Sequence, residues 1–200
     1  ILEAKKVLGE EIWGTLYTIA KDVKIQIEFN PAKVDAYRLI GYENRMLKKE
    51  DFNDDKKDAG EIGSGHTVTA LYEIIPAGFG ENVSDVDKLE YQTSHVKNSS
   101  DLMTLKLRYK DPDADTSKLI VQKVSESSIN AAKASDNFTF SAAVAEFGLL
   151  LRNSDNKGAS TYDHVIGAAK NSKGADKFGY RAEFIKMVEA ARTLDDTAKK

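Results

Sequence analysis

Apolar and polar positions fall into two regimes along the chain. They alternate through most of the first two thirds and recur at helical spacing after about residue 135. The clearest alternation is "VKIQIEF". Val23, Ile25, Ile27 and Phe29 share one face and Lys24, Gln26 and Glu28 the other, which predicts a half-exposed strand. "GTLYTIA" before it alternates loosely, and Lys21-Asp22 predicts a turn between the two. Asn30-Pro31 stops the strand, and "VDAYRLIGYE" predicts another over Ala36–Glu43. "HTVTALYEIIP" sets Val68, Ala70, Tyr72 and Ile74 against Thr67, Thr69, Leu71 and Glu73, a strand that Pro76 ends. "LMTLKLRYK" and "SKLIVQKV" predict two more strands, joined by the turn residues of "DPDADT". Residues 44–65 and 77–100 read as polar loops, the second with a short ragged strand at 89–92.

The helical regime has three stripes. "NFTFSAAVAEFGLLLRNS" places Phe140, Ala143, Val144, Phe147, Leu150 and Leu151 on one face. "STYDHVIGAAKNS" does the same with Tyr162, Val165, Ile166 and Ala169, with Ser160 as N-cap. "DKFGYRAEFIKMVEAARTL" groups Tyr180, Phe184, Met187, Val188 and Ala191. A shorter helix-like pattern runs from Ile1 to Ile12. Strands first and helices last predict an α+β fold. The expected organisation is an antiparallel β-sandwich-like domain over residues 21–134, with a helical subdomain over 135–200 packed on it.

Composition narrows the function classes. The 200 residues need no staple to fold, since a chain of this size buries roughly 70% of its unfolded surface. With 29 basic and 32 acidic residues the net charge is −3, which argues against a nucleic-acid platform. There is no cysteine, so thiol catalysis and Cys-ligated zinc are excluded. No apolar run approaches the ~18 residues of a membrane span. The chain opens at "ILEAKKVLGEE" without a Met, as a piece of a longer protein would.

One stretch invites a chemical reading: "FNDDKKDAGEIGSGHTVTALYEIIP", Phe52 to Pro76. Asp51, Asn53 and Asp55 have the spacing of the first half of an EF-hand loop. Such a loop needs Gly at its sixth position and an acid at its twelfth; here these are Lys56 and Ile62. "DPDADT" fails in the same way, with Thr116 and Gln122. Asp58, Ser64 and His66 are triad residue types, but the serine sits in "GSGH", not on a Gly-x-Ser-x-Gly elbow. Gly63 and Gly65 then shape a bulge or turn that feeds the next strand. His66, His95 and His164 lie in three separate segments without metal-binding spacing. Arg181, in "FGYRAEF", reads as a helix-surface salt bridge or part of a partner surface.

Four long segments carry a family resemblance: "GTLYTIAKDVKIQIEFNPAKVDAYRLIGYENRML", "EDFNDDKKDAGEIGSGHTVTALYEIIP", "LKLRYKDPDADTSKLI" and "FGYRAEFIKMVEAA". They resemble the region that follows the von Willebrand factor type A domain in bacterial YfbK-like proteins. The resemblance implies that "LEAKKVLGEEIWGTLYTIA" is the tail of a truncated A domain, its helix and last strand over residues 1–20. That segment is then expected to be disordered, folded back, or paired with a second copy. The Asp-x-Ser-x-Ser metal loop of A domains is absent from the chain. No metal or other cofactor is therefore expected here, and a divalent metal only in the upstream domain.

The leading expectation is a non-catalytic scaffold or interaction module of an envelope protein, in the periplasm or on the outer surface. It would support metal-dependent adhesion or assembly by the upstream A domain. Expected partners are that domain and an unidentified protein. Neither nucleic acid nor a membrane span is expected. The candidate interaction surface is Asp58, Glu61, His66 and Arg181. The alternatives are a hydrolase using His66 or His164 with nearby carboxylates, or a sugar- or peptide-binding sandwich using Tyr37, Tyr42, Tyr91 and Tyr109.

Overall fold

A computed structural model describes residues 6–10, 12–42, 46–79, 99–128 and 134–198. The fold is α+β, antiparallel sheets followed by helices, as the pattern predicts. The chain divides into a sheet unit, Lys6–Ile129, and a helical unit that contains Asn130–Lys200. His95 and Tyr91 lie outside the described residues, as does the strand expected at 89–92.

In the sheet unit, a π-type turn at Lys6–Glu10 and a short helix α1 (Ile12–Leu16) lead into β1 (Thr18–Phe29). Then come β2 (Val34–Ile40), a 3-10 turn at Lys49–Asn53, β3 (Gly60–Gly63), β4 (Leu71–Pro76), β5 (Asp101–Lys110) and β6 (Lys118–Ser125). The main sheet has the order β3-β1-β5-β6, and β2 and β4 form a separate two-stranded ladder; every pairing is antiparallel. The hairpin β5–β6 turns at the predicted "DPDADT". Phe29 at the end of β1 meets the ladder, its ring 4.6 Å from that of Tyr37 and 5.8 Å from that of Tyr72.

Three strand expectations are corrected. Lys21-Asp22 does not reverse the chain. Against β5, Lys21 pairs with Lys110 and Lys24 with Arg108, so β1 carries one extra residue there. Asp22 adopts φ 52, and the expected turn is a bulge inside one twelve-residue strand. Within "GTLYTIA", Thr18 and Ala20 pair with Gly63 and Ile62 of β3, the folded-back arrangement among the three expected. β3 itself lies in the stretch that reads as polar loop. Its pairing is made by backbone, and Gly63 is buried so tightly that a Cβ there would lie 1.3 Å from the Gly14 carbonyl oxygen. The strand expected from His66 begins only at Leu71. Its partner β2 ends at Ile40, the rung opposite Leu71, because Gly41 and Tyr42 turn the chain away with φ 75 and 61.

The helical unit holds α2 (Asp136–Leu151), α3 (Tyr162–Asn171) and α4 (Tyr180–Ala198). Ser135 caps α2, its hydroxyl accepting from the Phe138 amide. Thr161, not Ser160, caps α3 and accepts from the His164 amide at 3.1 Å. The core joins Ala143, Phe147, Val165, Ile166, Ala169, Ile185 and Val188. Edge-to-face rings bind it: Phe147 to Phe184 at 5.6 Å, and Phe140 to Phe184 at 5.3 Å. Two stripes are rotated from their expected faces. Val144 and Leu151 are exposed while Leu149 is buried, because α2 is apolar nearly all round and periodicity does not choose a face. On α4 Met187 is exposed and Ile185 takes its place in the core.

Phe147 is nearly fully buried whereas Phe184 keeps part of its surface. Phe147→Ala is expected to lower stability by about 3–5 kcal/mol in urea unfolding, and Phe184→Ala by less. A loss below ~1 kcal/mol for Phe147→Ala contradicts the placement of the core.

Candidate functional site

The acidic stretch that attracts a chemical reading is a strap laid over one face of the main sheet. The pairings put Lys24 opposite Arg108 and Lys21 opposite Lys110, so all four side chains belong to the same face. The 3-10 turn Lys49–Asn53 covers it and buries Phe52. The Arg108 guanidinium stands 5.6 Å from the centre of that ring.

At Lys24 the face that "VKIQIEF" offers as its polar one is thus the covered one, while Glu28 further along it stays exposed. Lys24 is only 3% exposed, while Ile25 on the opposite face is 43% exposed. Alternation separates two faces but does not say which one the rest of the chain will cover. The distant strap decides it.

Three of the four cations are bonded beneath the strap, and Arg108 Nε is, among the described residues, the buried side-chain donor left without a partner. Lys24 Nζ donates to the carbonyl of Asp51 at 3.2 Å and to that of Asp54. Lys110 Nζ donates to the Asp22 carboxylate at 2.7 Å and to the Asp55 carbonyl at 2.6 Å. Arg108 donates to Ser117 Oγ at 2.8 Å and to Asn53 Oδ1 at 3.1 Å. The Asp55 carboxylate accepts from both the hydroxyl and the amide of Ser117. At the bulge, Asp22 Oδ1 also accepts from the Ala59 amide at 3.2 Å. The strap resembles half a calcium loop because it does aim carbonyls at cations, and those cations are the protein's own lysines. Among the described residues no three His, Asp or Glu side chains are placed to hold a metal ion.

These bonds set the ionisation of their members. The Lys110 hydrogen bond foremost holds the Asp22 carboxyl below its usual range. The Ser117 hydroxyl does the same for Asp55. Lys110 is pushed up, chiefly by its bond to Asp22.

The sequence-predicted site residues are dispersed. Asp58 is exposed at the end of the strap, and Glu61 is exposed on β3, where its carboxylate accepts from Thr18 Oγ1 at 3.2 Å. Ser64 and His66 are exposed in a turn closed by the His66 amide on the Gly63 carbonyl, with Gly65 at φ 75. No hydrogen bond joins the side chains of Asp58, Ser64 and His66. His164 belongs to the helical unit, its Nδ1 2.9 Å from Glu146 on a ring 70% exposed. Of the tyrosines, Tyr37 is turned onto Phe29 and the Tyr42 hydroxyl reaches the Thr69 carbonyl at 3.5 Å.

Arg181 is an internal tie. Its guanidinium donates to the carbonyls of Ser172 at 2.9 Å and Lys173 at 3.3 Å, just past the end of α3, and to Asn137 of α2. It stacks 4.7 Å from the Phe140 ring centre. In place of a surface salt bridge, it satisfies the carbonyl end of a helix, where a cation is favoured. Asp176 closes the start of α4 by accepting from the Arg181 and Ala182 amides. Burial works against its ionisation, but those two amides outweigh it and its pKa is lowered. A cleft of about 440 Å³ in the same unit is lined by Leu150, Tyr162 and Arg192 among others, with Arg192 bonded to Asp163.

A braced antiparallel sheet with a compact helical unit defines an α+β module whose most conspicuous polar cluster serves its own fold. The chain belongs to the family described as "Uncharacterized protein YfbK, C-terminal", which matches residues 14–194. It is 42% identical over 201 residues to the uncharacterized protein YfbK of Escherichia coli K12, an alignment covering 98% of this chain. The chain spans 34% of that relative's length. No solved structure matches it.

Removing the Lys24 ammonium takes one donor from each of two strap carbonyls, which keep only the Asp54 and Lys57 amides. Lys24→Met is expected to cost about 1.5–3 kcal/mol and to speed tryptic cleavage at Lys56 and Lys57. Unchanged cleavage means the strap is held by other bonds.

The strap also fixes a pH profile. Asp22 and Asp55 have lowered folded pKa values, so their contribution is complete above the unfolded value and vanishes as the pH falls through the folded one. Lys110 has a raised value, so its contribution is complete below the unfolded value and is lost as the pH rises through the folded one. Urea midpoints are expected to be level from about pH 5 to 9 and to drop on both sides. Asp22→Asn should take up fewer protons on acid unfolding. An unaltered acid limb in that variant contradicts the pairing.

Proposed function

We propose that this chain is a non-catalytic interaction module of a bacterial envelope protein, working beside an upstream von Willebrand A domain. In this reading the A domain carries the divalent metal and performs metal-dependent adhesion or assembly, and the module braces that domain and presents its own surface. The observation that supports the reading is the use made of the acidic strap. Asp22, Asp55 and the carbonyls of Asp51 and Asp54, the groups most able to serve chemistry, are committed to two lysines of the sheet and to Ser117, just before β6. An active site keeps such groups convergent on a space where a substrate fits. Membership of a C-terminal family, in a relative of which the chain spans 34%, agrees with a role beside another domain.

The test is calorimetry of this chain against a separately expressed A domain from the same longer protein, with magnesium and with EDTA. Binding is expected in both, since the bracing contact does not use the metal. Partner capture by the joined protein is expected only with magnesium. Failure of the two pieces to associate, or metal-independent capture by the joined protein, overturns the reading.

A further inference from the structure

The main sheet ends in two unlike edges. β3 is four residues long, half of them glycine, and gives little to pair with. β6 is eight residues long and, among the described residues, pairs only with β5. At its middle Leu119, Ile120 and Val121 stand 46%, 50% and 52% exposed. Natural sheets guard such an edge with charge. Here the two lysines of the strand are drawn back toward β5 and its turn: Lys118 pairs with Asp111 at 2.5 Å and Lys123 with Asp101 at 3.5 Å. The apolar middle is left unguarded.

Among possible strands, a second copy of β6 fits this edge in one register. In an antiparallel pair, residues directly opposite share a face. Ile120 set against Ile120 of another copy places Leu119 opposite Val121, Lys118 opposite Gln122 and Lys123 opposite Ser117. Every apolar residue of the middle then meets an apolar one, and no lysine meets a lysine. Moving the centre half a residue toward Val121 sets Lys118 against Lys123 twice, and a half-residue shift either way brings unlike faces together. Moving it one residue either way sets Ile120 against Lys118 or Gln122. The matched register also extends a row already in the sheet. Ile25, Leu107 and Ile120 lie side by side across β1, β5 and β6, with Ile25 43% exposed. Through the two-fold axis that row continues without a break into its symmetry mate.

We propose that the chain forms a two-fold dimer by antiparallel pairing of β6 with β6, centred on Ile120, joining two four-stranded sheets into one. The interface is isologous and closes on itself.

Light scattering over a dilution series of the whole chain tests the association, and two exposed substitutions test the register. Gln122→Glu places an acid opposite Lys118 of the mate at two symmetric points and should tighten the dimer several-fold. Gln122→Lys should loosen it by a similar factor. Ile120→Lys should raise the dimer Kd by roughly tenfold or more with little change in melting. Because the chain has no cysteine, Ile120→Cys offers a single thiol at the axis. It should oxidise to a covalent dimer, as opposed residues lie within disulfide reach, while Ser125→Cys should not. A chain that stays monomeric at the highest concentration reached overturns the proposal. So does a dimer in which the two Gln122 variants shift in the same direction, or one that Ile120→Lys leaves intact.

Discussion

The sheet unit depends on two lysine ammonium groups held under a turn of backbone carbonyls. An ammonium taken out of water costs several kcal/mol unless fixed acceptors replace the lost hydration. Lys24, 3% exposed, finds them in the carbonyls of Asp51 and Asp54; Lys110, 7% exposed, in the Asp55 carbonyl and the Asp22 carboxylate. Much else follows from this placement. Asp22 reaches Lys110 because a one-residue bulge turns it aside, and its other oxygen receives the Ala59 amide. Holding Ala59 delivers Gly60 to the edge of β1, where β3 begins. β3 then runs until Gly63 lies against Gly14, a contact that leaves no room for a side chain. Bulge, strap and short edge strand are one device.

This explains what was legible in the sequence and what was not. The hairpin β5–β6 and the three long helices announce themselves, because their periodicity is local and long. β3 does not, because "GEIG" has no side-chain pattern and is a strand only through the backbone of β1. The covered face of β1 is hidden for a different reason. Lys24 and Ile25 alternate as they would in any half-buried strand, and the strap that buries the lysine begins some 25 residues later. The acidic loop was legible only as half of a calcium loop that fails at its sixth and twelfth positions, Lys56 and Ile62. That its carbonyls meet lysines instead was not legible. Val144 and Met187 misled because their helices offer more apolar positions than one core face can use.

The helical unit meets the same electrostatic problem with a different side chain. The carbonyls past the end of α3 need donors, and Arg181 supplies them with one nitrogen while another bonds to Asn137 and the guanidinium plane rests on Phe140. A lysine could satisfy carbonyls, as Lys24 does, but only as a point charge with no plane to rest on a ring. The planar fork links a helix end, a neighbouring helix and an aromatic ring at once. In both units a basic side chain serves as the internal counterpart of backbone carbonyls.

Perturbed carboxyl groups are commonly read as pointers to active sites, and the direction of the perturbation matters to that reading. A general acid at neutral pH needs a raised carboxyl pKa, produced by burial without compensation. Asp22 and Asp55 move the other way, because hydrogen bonds from Lys110 and Ser117 favour the charged form. A carboxylate so stabilised is a weaker base, and each of its oxygens already accepts a hydrogen bond. The same bonds that make the strap a good brace make it a poor catalyst. The surface the sheet leaves for interaction is accordingly apolar and backbone-based: the exposed middle of β6, where hydrogen-bonding groups and branched side chains offer a matching strand both direction and register.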